Sequence, residues 1–275
     1  MKKFDNKVVV ITGAGSGMGR AYAIEFARLG AKIAITDYNE EGLLETETLL
    51  KHLPHQGLYS EVLDISKKVA VFKFAKNVQK QLGSAHVIIN NAGIGGGGQP
   101  VWSMEPSQYT HTLGVNFFGV VYGTQAFLPQ LIANNEGAVV NVSSVFGLVG
   151  TPNASDYCAS KFAVRGFSES LMVELEDSPI SVHLVHPGGV KTNIAKDTEG
   201  GEEFTDKYLK TPPEYIARTV IDGIKDGKQR IVCGHQSKPI SILSWAVPLK
   251  WRNRYLYREM KELLKPEHYE VLGKQ

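Results

Sequence analysis

The sequence predicts an α/β fold: a doubly wound parallel sheet of about seven strands flanked by helices. Three observations predict it. Short, continuous apolar runs recur along the chain without alternation, as strands buried on both faces require. Longer segments with apolar residues at helical spacing lie between them. A glycine-rich turn joins the first such run to the first such segment. Strands alternating with helices imply right-handed crossovers, and so parallel strands.

Each element has its own signal. Val8-Val9-Val10-Ile11 is a buried strand, and Thr12-Gly13-Ala14-Gly15-Ser16-Gly17-Met18-Gly19-Arg20 is the turn after it. Ala21, Ala23, Ile24, Phe26, Ala27 and Leu29 form the stripe of a helix that Gly30 stops. A second strand runs from Ala31 to Asp37. Asn39 caps the next helix, with Glu40 and Glu41 in its first turn, where the helix dipole favours carboxylates. Leu58 to Leu63 is the third strand, closed by Asp64. Ser66 is expected to cap a helix that turns Val69, Phe72, Ala75 and Val78 inward and stops at Gly83. His86 to Ile89 is the fourth strand, leading into Asn90-Asn91-Ala92-Gly93. A long helix from about Pro106 to Leu131 carries Asn116 at its middle. Gly137 to Ser143 is the fifth strand, with Ser144 at its end, and a helix bearing Tyr157 and Lys161 follows. Ile180 to Val185 is the sixth strand, followed by His186-Pro187-Gly188-Gly189, and Ile231 to Gly234 is the last. No linker or repeat interrupts the alternation, so residues 1–275 read as one domain.

Bulk properties exclude several classes. Net charge is +2 over 275 residues, without the concentrated basic surface of a nucleic-acid binder. Cys158 and Cys233 are too few for a disulfide framework and suit a reducing compartment. The four apolar residues before Thr12 are too short for a signal-peptide core, and no run reaches a membrane span. The expectation is a soluble, cytoplasmic protein with no metal and no nucleic-acid partner.

The chemistry centres on Tyr157 and Lys161. Four residues apart on a helix, they share a face. An ammonium beside a phenol favours the phenolate and lowers its pKa, which suits proton exchange with an alcohol or ketone near neutral pH. Ser144, thirteen residues before Tyr157, is placed to hydrogen-bond the same oxygen. Spacing alone does not select this set, because Ser244, Tyr257 and Lys261 repeat it. Context does: Ser144 ends a buried strand, whereas Pro248 breaks any regular element between Ser244 and Tyr257.

A literal G-x-G-x-x-G falls at Gly93-Ile94-Gly95-Gly96-Gly97-Gly98, but no helix follows it, and it reads as a mobile loop. The turn with glycines at 13, 17 and 19 has the strand–turn–helix context that brings backbone and a helix N-terminus to a pyrophosphate. Asp37 closes the second strand, where a carboxylate accepts from ribose hydroxyls and repels a 2′-phosphate. Ser16 and Tyr38, at positions able to meet that phosphate, are not basic, and Arg20 is expected to point away from the turn. NAD is therefore favoured over NADP.

From about Lys7 to Thr192 the chain resembles the short-chain dehydrogenase/reductase family. The resemblance rests on Thr12-Gly13 to Gly19, Asp64, Asn90-Asn91-Ala92-Gly93, Asn116, Ser144, Tyr157 with Lys161, and Pro187-Gly188, all in family order. It implies a Rossmann-type fold, hydride transfer between NAD(H) and a secondary alcohol or ketone, and these roles. Tyr157 is the general acid/base. Lys161 lowers its pKa and holds the nicotinamide ribose. Ser144 positions the substrate oxygen, and Asn116 distorts its helix and holds a water that relays protons to Lys161. Cofactor contacts are implied for Gly13, Ser16, Gly17, Met18 and Gly19 in the turn, Asp37 at the ribose, and Asp64 and Ile65 at the adenine. They are implied further for Asn90, Ala92, Gly93, Pro187, Gly188, Val190 and Thr192. Family members associate through the helix carrying Tyr157, which implies a homodimer or homotetramer. Ser143 is a rival for Ser144 that the spacing disfavours, and His186 is assigned a structural role.

Substrate is expected over Tyr157, enclosed by residues 93–102, 145–150 and a lid spanning 191–213. Phe146, Leu148 and Val149 suggest an apolar pocket and a substrate with a hydrophobic body. Residues 239–275 are an extension outside the common family pattern. Its cations and aromatics read as a helix packed on the protein or a neighbouring subunit, in preference to a membrane-surface element. Two other functions stay open: an epimerase or isomerase using NAD transiently, and an idle NAD-sensing scaffold, against which the intact Asn116, Ser144, Tyr157 and Lys161 argue.

Overall fold

In the computed structural model, which describes residues 1–273, seven parallel strands form one sheet. They are β1 (Val8–Thr12), β2 (Lys32–Asp37), β3 (Gly57–Val62), β4 (Val87–Asn90), β5 (Gly137–Val142), β6 (Ile180–Pro187) and β7 (Arg230–Cys233), ordered β3-β2-β1-β4-β5-β6-β7. The helices are α1 (Gly17–Arg28), α2 (Glu40–Leu50), α3 (Lys68–Leu82), α4 (Pro106–Leu113), α5 (Gly119–Ala133), α6 (Ser155–Glu174), α7 (Gly201–Tyr208), α8 (Pro213–Lys225), α9 (Ser237–Ala246) and α10 (Leu249–Met260). This is the doubly wound, Rossmann-type sheet the alternation predicts.

Successive strand residues face opposite sides, and the core divides accordingly. Val9, Ile11, Ile33, Ile35, Val87 and Ile89 pack under α1, α2 and α8. Val8, Val10, Ala34, Ile88 and Val139 pack under α3, α5 and α6. The chain winds out from β1 to β3 and then crosses back to β4, so the carboxyl ends of β1 and β4 open a crevice at this reversal, where such sheets bind ligands.

Three elements depart from expectation. α3 starts at Lys68 after Lys67, and Ser66 instead donates its N–H to Asp64 Oδ1 at 2.9 Å. Ala75 and Val78 face inward as expected, but Val71 and Phe74 complete the buried stripe with them and Val69 is exposed. The helix expected over 106–131 is divided into α4 and α5 by a π-turn at Gly114–Phe118, where Gly119 N–H reaches Gly114 O, a distortion at the position implied for Asn116. The glycine-rich stretch expected to be a mobile loop is a packed one. A Cβ on Gly95 would lie 2.5 Å from Ile194 O, one on Gly96 would strike Asp156 Oδ1, and Gly97 N–H donates to Asp156 Oδ2 at 3.1 Å. Gly98, at φ +73°, would meet Glu199. These bare Cα atoms let the stretch lie between the start of α6 and the segment after β6.

Candidate active site

The glycine turn is cut to admit a dinucleotide. Gly13 and Gly17 have φ of +67° and +51°, and a Cβ on Gly19 would strike the Gly13 carbonyl. Asn91 props the turn, its Nδ2 donating to Thr12 O at 2.9 Å, while its own N–H and that of Ala92 donate to Thr12 Oγ1 at 3.0 Å each. The sequence places Asn91 only within the motif Asn90-Asn91-Ala92-Gly93, without this propping contact. Ser16 precedes α1 in extended conformation, leaving the helix's first N–H groups to an anion. Asp37 accepts from Gly15 N at 2.8 Å and Asn39 N at 2.9 Å, which fixes its carboxylate beside the turn.

Arg20 corrects an expectation. Its guanidinium turns back over the turn, donating to the Gly15 carbonyl, to Gly42 O at 3.2 Å and to Thr46 Oγ1 at 2.9 Å, and pairing with Glu45 at 2.7 Å. Four partners, one anionic, hold it against the α2 start.

Other expected contact residues divide into two groups. Met18, Gly93, Pro187, Gly188, Val190 and Thr192 line the same cavity as Ser144, Tyr157 and Lys161. Thr192 abuts the turn, since a Cβ on Gly17 would lie 2.9 Å from its Cγ2. Asp64 is half-exposed at the end of β3, and Ile65 is buried against Gly119. The side chain of Asn90 faces inward, donating to Thr124 Oγ1 at 3.0 Å and Asn141 Oδ1 at 2.9 Å, so only its backbone can face the crevice.

Ser144, Tyr157 and Lys161 converge. The Ser144 Oγ accepts from Phe146 N at 3.1 Å, which leaves its proton free to donate. The Ser143 hydroxyl is committed to Lys161 O at 2.9 Å, so the rival serine is structural here. His186 is buried and neutral, its pKa pushed down to about 4 by burial, and donates from Nδ1 to Ser144 O at 2.8 Å. It fixes the backbone under Ser144 without entering the cavity.

The tuning of Tyr157 differs from expectation. Lys161 is 2% exposed, its Nζ donates to Val142 O at 3.2 Å, and it lies 5.6 Å from the centroid of the Tyr157 ring. Burial pushes the ammonium down to about 8. Burial likewise pushes the Tyr157 phenol up to about 12, against the opposing pull of the Ser144 hydroxyl. The protein's own groups therefore hold a protonated phenol, a proton donor, because burial dominates over the Ser144 hydrogen bond.

Asn116 lies in the π-turn and is fully buried. Its amide accepts from Ile94 N at 2.8 Å and donates to Ile94 O at 3.0 Å and Ser160 Oγ at 3.1 Å. A Cβ on Gly93 would lie 3.2 Å from Asn116 Oδ1 and 3.3 Å from Lys161 Nζ, so both side chains meet at a bare Cα. The decoy set does not converge on a cavity, as Ser244 donates to Ser241 O within α9 and Tyr257 is exposed.

The cavity above Tyr157 has a volume of about 240 Å³ and mostly apolar walls. Phe146 stands edge-on to Tyr157, with centroids 6.2 Å apart, and α7 brings Phe204 to 6.2 Å from Phe146. Leu256, Met260, Leu263 and Leu264 complete the lining from α10 and the turn after it. The C-terminal extension is thus a roof over the site, which the sequence did not disclose. Three roof segments meet at Glu199, which accepts from Lys265 at 2.7 Å and Gln99 at 3.3 Å and lies 3.4 Å from His268. Trp102 donates to His268 O at 3.1 Å, and Tyr269 donates to Asn153 Oδ1 at 2.6 Å.

A family model described as short chain dehydrogenase matches residues 7–203. The chain belongs to the short-chain dehydrogenase/reductase family, whose fold binds a nicotinamide cofactor, and is an oxidoreductase of that family. It is 41% identical over 255 residues to "Putative oxidoreductase SadH" of Mycobacterium tuberculosis (strain ATCC 25618 / H37Rv), over 89% of this chain and 92% of that one. It is 38% identical over 231 residues to epidermal retinol dehydrogenase 2 of Mus musculus, over 81% and 72% of the two chains. A short-chain dehydrogenase/reductase from Burkholderia phymatum in complex with NAD superposes with TM-score 0.80 at 27% identity over 96% of both chains. A metagenomic short-chain oxidoreductase in complex with NADP gives 0.71 at 27% identity, over 84% of this chain and 98% of that one.

Proposed function

We propose that this protein is an NAD-dependent oxidoreductase acting on a secondary alcohol or its ketone with a hydrophobic body. The observation that carries the reading is a largely apolar cavity whose floor presents Ser144, Tyr157 and Lys161 together. A bound nicotinamide cofactor supplies or accepts the hydride there. The free Ser144 proton orients the substrate oxygen, and the protonated Tyr157 phenol is ready to donate to it in the ketone-reducing direction. For the reverse direction Tyr157 must lose its proton, and Lys161, easily deprotonated and beside Asn116, is placed to pass it on. A roof that excludes water strengthens each of these interactions.

NAD in preference to NADP is supported by the Asp37 carboxylate, which Gly15 N and Asn39 N fix beside the turn. Substrate hydrophobicity is supported by the roof, and the mouse relative is named for retinol, an apolar alcohol. Residues 191–213, including α7, act as a lid whose closure brings Phe204 onto Phe146. Phe118 and Phe162, exposed at the end of the π-turn and on α6, suit a homo-oligomeric contact through the helix carrying Tyr157. A nicotinamide-absorbance screen of alcohols and ketones with both cofactors tests the reading. Turnover of apolar secondary alcohols with NAD is expected, and a preference for NADP would remove the cofactor assignment.

A further inference from the structure

The outer face of α9 and α10 is built unlike the rest of the surface. From Ser237 to Arg258 the chain carries Lys238, Lys250, Arg254 and Arg258 and no acidic residue, in a protein whose net charge is only +2. The half-buried Arg252 is turned in to Ser244 O at 2.7 Å. Large apolar side chains stand among these cations. Trp245 is 76% exposed and Trp251 60%, with Ile242 and Leu249 beside them in sequence and also open to solvent. Arg254 lies 5.5 Å over the Trp251 ring. The next two acids are engaged elsewhere: Glu262 pairs with Lys207 of α7 at 2.8 Å, and Glu259 lines the cavity.

We propose that this face docks the protein on an anionic phospholipid surface. Tryptophan, leucine and isoleucine interleaved with lysine and arginine on two short helices match an element lying in the lipid interface. Apolar groups enter the headgroup boundary while the cations meet anionic lipid. A second copy of the chain is the poorer occupant, because a two-fold contact would set these cations against themselves. The same two helices also contribute Ile240 and the half-exposed Tyr255 to the cavity lining. A docked molecule therefore holds the cavity rim against the bilayer, where an apolar substrate would be dissolved. The inference rests on this surface and not on the reaction assigned above, so the two stand or fall separately.

The test is sedimentation of the full chain with vesicles of phosphatidylcholine alone or of phosphatidylcholine and phosphatidylserine at about 70:30, in low and high salt, with variants that leave the cavity lining intact. The protein should pellet with the phosphatidylserine vesicles only, and high salt should release it. Lys250→Gln with Arg254→Gln should lower partitioning about 25-fold, at about fivefold for each cation. Trp245→Ala with Trp251→Ala should lower it about tenfold or more. Both double variants should keep the parent's turnover of a water-soluble alcohol and its circular-dichroism melt. Failure to bind phosphatidylserine vesicles, equal binding to both vesicle types, or undiminished binding by the variants would overturn the proposal. So would light scattering that shows the tryptophan variant splitting a dimer in the absence of lipid, since the face would then be a subunit contact.

Discussion

Replacing Lys161 by methionine should make the dinucleotide-free protein more stable, and only at pH values where the lysine is charged. Burial lowers the ammonium from its ordinary 10.5 to about 8, a bias of about 3 kcal/mol against the charged form at roughly 1.4 kcal/mol per decade. Below about pH 8 the lysine is charged in both the folded and the unfolded chain, and folding bears the whole bias. Between about 8 and 10.5 the folded protein releases its proton first, the unfolded chain binds more protons, and stability rises with pH. Lys161→Met removes the bias but leaves Val142 O without its donor, a loss of about 1 kcal/mol. The variant should therefore gain about 2 kcal/mol at pH 7, and most of that gain should be gone at pH 10. Urea unfolding of both proteins at the two pH values reads the difference directly. A methionine variant less stable than the parent at pH 7, or a difference that ignores pH, would refute the reasoning.

Two further substitutions test the site. Tyr157→Phe removes the group proposed to exchange the proton with substrate, and kcat should fall by about 10² to 10⁴ while dinucleotide affinity, read by fluorescence titration, stays within a few-fold. Asp37→Ala frees Gly15 N and removes the carboxylate proposed to repel a 2′-phosphate. The ratio of kcat/KM for NAD over NADP should drop by about tenfold or more, at about 1.4 kcal/mol per tenfold, and an unchanged ratio would place cofactor choice elsewhere.

How far the sequence could be read follows from the range of the forces involved. The strands were legible because burial on both faces leaves an unbroken apolar run such as Val8 to Ile11, and the glycine turn because its backbone needs are local. Tyr157 and Lys161 were legible because helix geometry alone places them side by side. The balance between them was not, since it depends on how much water the surrounding fold removes from Lys161. The inward face of α3 was placed rightly at Ala75 and Val78 and wrongly at Val69 and Phe72, because Val71 and Phe74 are as apolar as those two and the pattern alone does not choose between them. Arg20 looked free because its partners, Thr46 and Glu45, lie a whole βα unit further on. The glycines at 95 to 98 looked mobile because the groups that pack on them, Asp156, Ile194 and Glu199, are distant in sequence. The roof depends on contacts of the same kind, between residues 99, 199 and 265.

That roof separates two properties along the chain. The groups proposed to move hydride and proton all precede residue 193, whereas Leu256, Met260, Leu263 and Leu264 come from the last few turns. The terminal part of the cavity wall can thus drift, or be transplanted from a relative, while Ser144, Tyr157 and Lys161 are inherited unaltered.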